Sequence, residues 1–322
     1  MIIFIGPNRH RSNVASLREH ADAPKYDYRS YNWLFRAFRL PAATYIFTSI
    51  DRLDANERRL AGKIYRHINK AGNGFRALND PAHAMGRFRL LCALYEAGIN
   101  QFNVYLAYDA PKPSQFPVFI RRNSLSTAPL SGLINSQAEL EQTIAELERE
   151  GEPLDDLIVI EYCAREVAPG IFQKWSAYNA GGQISLNYAI SESSWLVKYG
   201  EIDIIEEHFY AQELELLERN AFEDQVRRVF EIAHIEYGRV DFGLVDGEPQ
   251  FYEINFNPEF RTMEAKSLVE QRKQNVLFAV KRRVQHIAQL DAQQSGSVGN
   301  LSDPDITAFR LRPWRNYAPQ RY

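Results

Sequence analysis

The residues best suited to chemistry lie in one short segment toward the C-terminal end of the chain. Arg239 and Asp241 alternate along a predicted strand, an Asp-Gly dipeptide follows at 246–247, and Glu253 and Asn255 alternate along the returning strand. Because successive side chains of a strand point to opposite faces, each of these pairs occupies one face. Asp-Gly between two apolar runs indicates a β-hairpin, so the segment predicts a hairpin with one polar and one apolar face.

The register of this hairpin decides whether its two carboxylates meet. A two-residue loop, Asp246-Gly247, would set Asp241 opposite Tyr252. That register would push Glu253 in among the apolar residues. A three-residue loop that includes Glu248 sets Asp241 opposite Glu253 instead. We therefore predict the three-residue loop.

Two facing carboxylates predict a cation between them. Like charges directly opposite each other destabilise a sheet, and a divalent cation with oxygen ligands relieves the repulsion. Mg²⁺ suits one or two carboxylates and completes its octahedron with water and phosphate oxygens, which implies a nucleotide. The alternative is a surface hairpin whose acids pair with Arg239 and other basic residues. Spacing alone leaves both interpretations open.

The pattern R-x-D, an acidic turn and E-x-N-x-x-P resembles the terminal metal-binding motif of ATP-grasp enzymes. That superfamily includes D-alanine–D-alanine ligase, glutathione synthetase and biotin carboxylase. Further segments follow in the expected order between residues 80 and 281. The resemblance implies that Asp241, Glu253 and Asn255 hold Mg²⁺. It also implies that Arg239 lies near the γ-phosphate or an acylphosphate intermediate.

Two arginines stand where the family has phosphate-binding lysines. The strand Pro117–Arg121 is similar to the one that delivers such a lysine, and Met85–Arg87 resembles the site of an earlier one. Arginine keeps the charge and can bind phosphate with two N–H groups, but its guanidinium is bulkier and planar. The resemblance implies that Arg87 and Arg121 contact the nucleotide.

The strand at 158–163 resembles the linker between the two ATP-grasp subdomains. The resemblance implies that the backbone of Glu161, Tyr162 and Cys163 binds the adenine edge, with the Glu161 side chain near the exocyclic amine. The segments 173–175 and 195–198 are similar to a hairpin that crosses the nucleotide. Lys198 is the predicted phosphate contact, and a solvated surface lysine is the alternative.

The residues after the metal motif are candidates to orient a substrate. Asn257 and Arg261 follow it directly and could hold a carboxylate, or could serve only the entry to the next helix. We predict Arg239 and Arg261 as catalytic arginines.

The elements that would position these residues follow from periodicity and capping. Asp54 and Glu57 form a predicted capping box, and apolar residues then recur every four positions to Ile68. Asn79-Asp80-Pro81 predicts the start of another helix, which runs to Gly98. Basic residues on the helix after Asp54 predict a solvated face, with a nucleic-acid patch as the weaker alternative.

The resemblance implies an α/β (α+β) protein with the ATP-grasp fold. We predict an N-terminal α/β domain over 1–80, a central subdomain over 81–162 and a C-terminal subdomain with the metal site over 163–290. ATP would lie between the last two. Residues 291–322 read as a linker and a basic tail.

Composition excludes several classes of protein. With 322 residues, 45% hydrophobic, and a formal charge of −3, the chain can bury a core and has no overall field typical of a nucleic-acid binder. Cys92 and Cys163 are far apart, which excludes a disulfide framework and a zinc ribbon. The opening residues predict a strand, not a secretory signal, and no run approaches the length of a membrane helix. We expect a cytoplasmic protein.

The function implied is an ATP- and Mg²⁺-dependent carboxylate–amine ligase, or a ligase of a carboxylate with another nucleophile, that works through an acylphosphate. Its partners would be small-molecule carboxylates and amines, without nucleic acid or membrane, and a homodimer is left open. The alternative is a catalytically weak ATP-grasp-like protein that binds nucleotide or a partner. Arg87 and Arg121 favour this alternative, and the acidic cluster opposes it.

Overall fold

The computed structural model describes residues 1–72, 74–124, 127–260, 266–291, 298–301 and 303–311. Its fold is mixed α/β, as predicted, with a parallel sheet near the N-terminus and antiparallel sheets after it. Within these residues, no helix has both the length and the apolar character that crossing a membrane requires.

The N-terminal part is built on a four-stranded parallel sheet in the order β2-β1-β4-β5. The strands of this part are β1 (Ile2–Ile5), β2 (Tyr26–Arg29), β3 (Arg39–Pro41), β4 (Thr44–Phe47) and β5 (Arg76–Leu78). Every residue of β1 and β4 is buried, which is typical of parallel strands covered on both faces. The connections include a 3-10 segment, Asn8–Glu19, and the short helix α1 (Tyr31–Arg36).

Helix α2 (Ala55–Ala71) confirms the predicted capping box. The Asp54 carboxylate accepts from the Glu57 N–H, and the Glu57 carboxylate accepts from the Asp54 N–H. Its predicted apolar stripe is buried against the parallel sheet. Local sequence therefore determined this helix, because both the cap and the stripe lie within it.

The central part holds a three-stranded antiparallel sheet in the order β6-β8-β7. Its elements are α3 (Arg87–Glu96), β6 (Val104–Leu106), β7 (Val118–Arg122), α4 (Gln137–Arg149) and β8 (Leu157–Glu161). The helix predicted to start at Asn79-Asp80-Pro81 starts only at Arg87, so that prediction is wrong. Asn79 instead has a left-handed backbone, φ 66°, and uses its side chain in contacts with distant strands.

The C-terminal part is an antiparallel sheet in the order β11-β10-β12-β13, with β9 beside β10. Its strands are β9 (Glu166–Ala168), β10 (Ile171–Ala180), β11 (Gln183–Glu192), β12 (Tyr237–Val245) and β13 (Glu248–Asn255). Its helices are α5 (Glu207–Glu218), α6 (Glu223–Ala233) and α7 (Glu270–Ala288). A tight turn at Gly181-Gly182, where both φ angles are positive, joins β10 to β11.

Beyond α7, the chain returns to the N-terminal part. Strand β14 (Val298–Asn300) pairs with β3, and helix α8 (Pro304–Arg310) packs beside α1. Asp305 of α8 binds Arg59 and Lys63 of α2, so two of the basic residues on that helix are paired.

One continuous hydrophobic core joins the parallel sheet to the C-terminal sheet, whereas the central sheet has smaller cores of its own. Asn79 links the two larger parts. Its Nδ2 donates to the carbonyls of Phe47 and Tyr237, and its Oδ1 accepts from the N–H groups of Glu236 and Tyr237.

Candidate functional site

The hairpin of β12 and β13 brings the predicted acidic residues together. Asp241 pairs with Glu253 and Arg239 pairs with Asn255, as the predicted register requires. The pairs share one face of the C-terminal sheet. Because Ser176 of β10 pairs with Asp241 from the other side, this face continues across the neighbouring strand.

The loop that produces this register differs from the predicted one. Val245 pairs with Glu248, so the loop contains only Asp246 and Gly247. Their φ angles, 53° and 85°, are those that a two-residue type I′ turn requires. The prediction of a three-residue loop is therefore wrong. The register is restored by a β-bulge next to Asp241, where the ladder skips one residue of β13.

The skipped residue is Tyr252, and its surroundings explain the bulge. Its hydroxyl donates to the carbonyl of Cys163 at 2.9 Å, which holds the ring toward the central part. The ring lies directly against Gly243, where an added Cβ would come within 2.3 Å of the tyrosine oxygen. Gly243 and the Cys163 carbonyl thus make room for Tyr252 as the extra residue of the bulge. The bulge in turn moves Glu253 onto the polar face.

Asp241 is almost fully buried, at 2% exposed, and is neutralised by two cations. Arg239 donates from Nε to Oδ1 at 2.7 Å and from Nη2 to Oδ2 at 3.0 Å. Lys174 of β10 places Nζ 3.3 Å from the same Oδ2. Such a bidentate guanidinium pair is a strong, charge-assisted contact.

Glu253 is held by two further arginines. Arg87, at the start of α3, donates to its Oε2 at 2.5 Å, and Nη2 of Arg121 on β7 lies 3.9 Å from the same oxygen. Burial by itself would raise the pKa of Glu253. The positive charges of Arg87 and Arg121 outweigh burial and lower the pKa to about 2. The carboxylate is therefore ionised throughout the physiological range.

The cluster carries an excess of positive charge, since four cations surround two carboxylates. Arg121 bears most of this excess. Burial, and next the charge of Arg87, lower its pKa to about 10 although Glu253 partly opposes them. Its Nε is buried and has no hydrogen-bond partner among the described residues. A buried guanidinium in this state favours the binding of an anion, which would supply the missing acceptor.

The charged cluster lies at one end of a cleft between the central sheet and the C-terminal sheet, hereafter the intersheet cleft. The cleft encloses about 800 Å³ when its open mouth is included. Trp195, which precedes α5, packs on Phe119 and Tyr162 with ring centroids 5.2 and 5.7 Å away. The apolar lining consists mainly of Leu91, Phe102, Phe119, Ile160, Trp195 and Tyr252.

Glu161, Tyr162 and Cys163 line the intersheet cleft where β8 ends. The Glu161 carboxylate accepts from the Asn103 N–H at 2.8 Å and from the Ser114 N–H at 2.7 Å, and both contacts lie on the connections flanking β6. Its pKa is lowered because these and other donors outweigh burial, which would raise it. Since its oxygens are already occupied, the backbone at 162–163 is the part of this segment that can bind a planar ligand edge.

Lys174 lines the intersheet cleft, whereas Lys198, the predicted phosphate contact, does not. The exposed Lys198 does not line the intersheet cleft, and its ammonium lies over the Tyr199 ring. Lys174 does line it and contacts Asp241. The sequence signal for Lys174 was its alternation with Ser176, which pairs with Asp241. The predicted catalytic residue Arg261 lies outside the described residues.

The oxygen donors of Asp241, Glu253 and Asn255 are of the type that Mg²⁺ prefers. In this conformation Arg239 occupies both Asp241 oxygens, and Asn255 Oδ1 accepts from the Asn257 N–H at 2.9 Å. No three acidic, histidine or cysteine side chains of the described residues are grouped for a metal. Two carboxylates and an amide oxygen nevertheless fit a Mg²⁺ ion that takes its remaining ligands from water and phosphate.

Comparison with known proteins shows similarity in fold only. No family model and no curated protein matches the chain. A D-alanine–D-alanine ligase from Bacillus anthracis, complexed with ATP, is 14% identical, with a TM-score of 0.46 over 88% of this chain and 97% of that one. A RimK domain ATP-grasp protein from Sphaerobacter thermophilus is 13% identical, with a TM-score of 0.46 over 90% and 98%. The ATP-grasp ligase PsnB, complexed with its minimal precursor, is 11% identical, with a TM-score of 0.49 over 88% and 98%.

Proposed function

We propose that the chain binds ATP in the intersheet cleft and uses it to join a carboxylate to an amine or another nucleophile. The observation that carries the proposal is the buried, incompletely neutralised Arg121 at the charged end of an apolar slot. A flat, apolar base joined to a polyanion has this combination of properties. A neutral or cationic ligand would leave the excess positive charge without compensation.

The slot suits the base, and the cluster suits the phosphates. Within the described residues, the Tyr162 carbonyl and the Cys163 N–H have no hydrogen-bond partner, so they offer an acceptor and a donor to the edge of adenine. Arg121 and Lys174 would bind phosphate oxygens, and Arg87 would hold Glu253 beside them. Trp195 would cover the base.

Asp241, Glu253 and Asn255 would hold Mg²⁺, which when bound neutralises charge on the phosphates. Arg239 then has a second role. A phosphoryl group near the ion attracts its guanidinium as strongly as Asp241 does now. In the reaction, a substrate carboxylate oxygen attacks the γ-phosphorus and ADP leaves; the amine then attacks the acyl carbon of the acylphosphate, and phosphate leaves.

The test compares the thermal midpoint with and without Mg·ATP in two variants of one strand. Arg121 faces the intersheet cleft, whereas Arg122 faces away and pairs with Glu152. Binding of Mg·ATP at a hundred times its Kd should stabilise the protein by about 2.7 kcal/mol. Arg121→Met should abolish the rise in midpoint, and Arg122→Met should keep it. No rise in the wild type, or a full rise in Arg121→Met, would refute the proposal.

A nucleotide-binding protein without ligase activity is the second candidate. Both carboxylates that would hold Mg²⁺ are bound by arginine in the structure, and arginines occupy both expected lysine positions. Release of ADP from Mg·ATP, measured across pairs of carboxylates and amines, separates the two functions. Binding without ADP release under any pair favours the second.

A further inference from the structure

Arg283, on the inner face of α7, is a buried cation without an ionic partner among the residues that the structure describes. The residue is 2% exposed, and its Nε and Nη2 have no hydrogen-bond partner in that part of the chain. An isolated buried charge costs several times more than a buried neutral group, so such a residue is rare unless it is paired. No salt bridge connects Arg283 to an acidic residue in the described part of the chain.

Arg283 is held between two aromatic rings. The centre of its guanidinium lies 4.4 Å from the ring centroid of Tyr178 and 4.4 Å from that of Phe260. Ring faces attract a guanidinium, but they do not accept its in-plane N–H bonds. The rings therefore fix the plane of Arg283 and leave its Nε and Nη2 N–H groups without an acceptor among the described residues.

Arg272, eleven residues earlier on α7, shows what a structural arginine looks like in this protein. It is also buried and lies over two rings, those of Tyr188 and Tyr210. However, its Nη1 donates to both oxygens of Glu213, at 2.7 and 2.8 Å. Among the described residues, a carboxylate pairs with Arg272 and none pairs with Arg283.

The position of Arg283 connects it to the proposed reaction centre. Tyr178 pairs directly with Arg239 across β10 and β12, on the same face as Asp241. Asp241 follows Arg239 by two residues, about 7 Å along a strand. Arg283 thus stands next to the residue that we assign to the transferred phosphoryl group.

The same place is a junction with the N-terminal part of the chain. The Phe260 N–H donates to the Asn13 carbonyl, and Asn13 Nδ2 donates to the Asn257 carbonyl, both at 3.1 Å. Asn257 is itself 8% exposed, and its Nδ2 has no hydrogen-bond partner. Asn257 Nδ2 is therefore a second N–H donor without an acceptor among the described residues, and it lies at the junction where Phe260 contacts Arg283.

We infer that Arg283 binds a substrate carboxylate through its guanidinium edge, with Asn257 as a second donor at that junction. The inference rests on the proposed ligase function, in which a carboxylate is a substrate. It narrows that substrate to a compact carboxylic acid such as an amino acid or the C-terminus of a short peptide. Inorganic phosphate offers similar oxygens and is the competing ligand that the test must separate.

The experiment measures thermal midpoints of the full chain with carboxylate probes and their uncharged counterparts. The probes are glycine, alanine, glutamate and alanyl-alanine, each compared with its amide, and inorganic phosphate, all with and without Mg·ATP. At ten times its Kd, a probe raises the ratio of folded to unfolded protein about elevenfold. We expect at least one carboxylate to raise the wild-type midpoint more than its amide and more than phosphate.

The variants are Arg283→Met and, as the matched control, Arg272→Met. Arg283→Met should not lower the unliganded midpoint, because it removes a buried charge that has no partner. It should abolish the carboxylate-dependent rise and leave the Mg·ATP rise intact. Arg272→Met should lower the unliganded midpoint, because Glu213 would remain buried and unpaired.

Three outcomes would overturn the inference: no preference for any carboxylate, a carboxylate-dependent rise that survives in Arg283→Met, or a loss of stability in Arg283→Met equal to that of Arg272→Met. If Arg283→Met does not fold, Arg283→Lys serves instead. It keeps the charge but not the two-pronged edge, so it should weaken the carboxylate rise at least tenfold in apparent affinity. A carboxylate rise that depends on Arg283, without any rise from Mg·ATP, would support the carboxylate site and reject the nucleotide site.

Discussion

At the residue scale, burial and charge compete at each ionisable group of the intersheet cleft. Glu253 would be hard to ionise in a buried site, but two arginines reverse the effect and lower its pKa to about 2. Arg121 shows the opposite balance, because burial and a neighbouring arginine lower its pKa to about 10. At Glu253 the neighbouring positive charges outweigh burial, whereas at Arg121 the charge of Glu253 does not offset burial and the charge of Arg87. The cluster therefore favours the binding of an added anion.

Glu253 should make stability depend on acid pH. Its pKa falls from an ordinary 4.5 in the unfolded chain to about 2 in the folded one, so its ionised form stabilises the fold at pH values above 4.5. That contribution should disappear as pH falls from 4.5 to 2. We expect the difference in thermal midpoint between wild type and Glu253→Gln to be constant above pH 5 and to shrink below it. A difference that does not vary between pH 6 and 2.5 would contradict this.

Glu161 should be more important for stability than its position on the cleft suggests. Glu161→Ala removes the acceptor of the Asn103 and Ser114 N–H groups and should cost about 2–4 kcal/mol in the free energy of unfolding. Urea denaturation measures this change in the free energy of unfolding. Glu148→Ala, on the exposed face of α4, should change the value by less than about 0.5 kcal/mol. Equal losses of unfolding free energy in the two variants would show that the buried contacts of Glu161 add nothing to stability.

At the element scale, the turn of the β12–β13 hairpin does not by itself set the register of the two strands. The Asp246-Gly247 turn sets a two-residue loop, and that loop alone would misplace Glu253. The bulge at Tyr252 corrects the placement. The polar face of the hairpin therefore depends on a glycine and a tyrosine that carry no charge.

Two glycine variants of this hairpin should have different effects. Gly243→Ala places a methyl group against the Tyr252 hydroxyl, so it should cost about 1–3 kcal/mol and reduce the Mg·ATP rise in midpoint by disturbing Glu253. Gly247→Ala meets no neighbour and strains only a backbone at φ 85°, so it should cost about 1 kcal/mol and keep the rise. Thermal melts with nucleotide compare them. If Gly243→Ala kept the full Mg·ATP rise in midpoint, nucleotide binding would not depend on the bulge.

At the scale of the whole molecule, Asn79 joins the N-terminal sheet to the C-terminal sheet. Its side chain satisfies backbone groups at the end of β4 and the beginning of β12, and its left-handed backbone brings it there. The shared hydrophobic core spans the same boundary. The two parts are therefore expected to unfold together.

Asn79→Ala should weaken that coupling. It leaves buried carbonyl and N–H groups of both sheets unpaired and should cost at least about 3 kcal/mol. The urea transitions followed by fluorescence and by far-ultraviolet circular dichroism, coincident in the wild type, should separate. Asn79→Asp places a carboxylate oxygen against the carbonyls of Phe47 and Tyr237 in place of the donating Nδ2, so it should lose at least as much. Coincident transitions and a small loss in Asn79→Ala would show that the core alone couples the parts.

The sequence by itself determined the features whose causes lie within a few residues of each other. The Asp54 cap and the stripe behind it predicted α2, and Asp246-Gly247 between two apolar runs predicted the hairpin of β12 and β13. Alternation predicted that Arg239 shares a face with Asp241 and that Glu253 shares a face with Asn255, whereas the pairing of Asp241 with Glu253 was predicted from a loop length that proved wrong. Capping, turn chemistry and strand periodicity are local, so a single chain is enough to read them.

Only the tertiary structure decided which side chains meet across the sheets. It brought Lys174 and not Lys198 to the carboxylates, and it placed Arg283 between two rings with no acid among the described residues. It also moved the start of α3 past Asn79, whose side chain bonds to Tyr237, 158 residues away in the chain. These outcomes depend on packing and charge between distant segments, which no local pattern encodes.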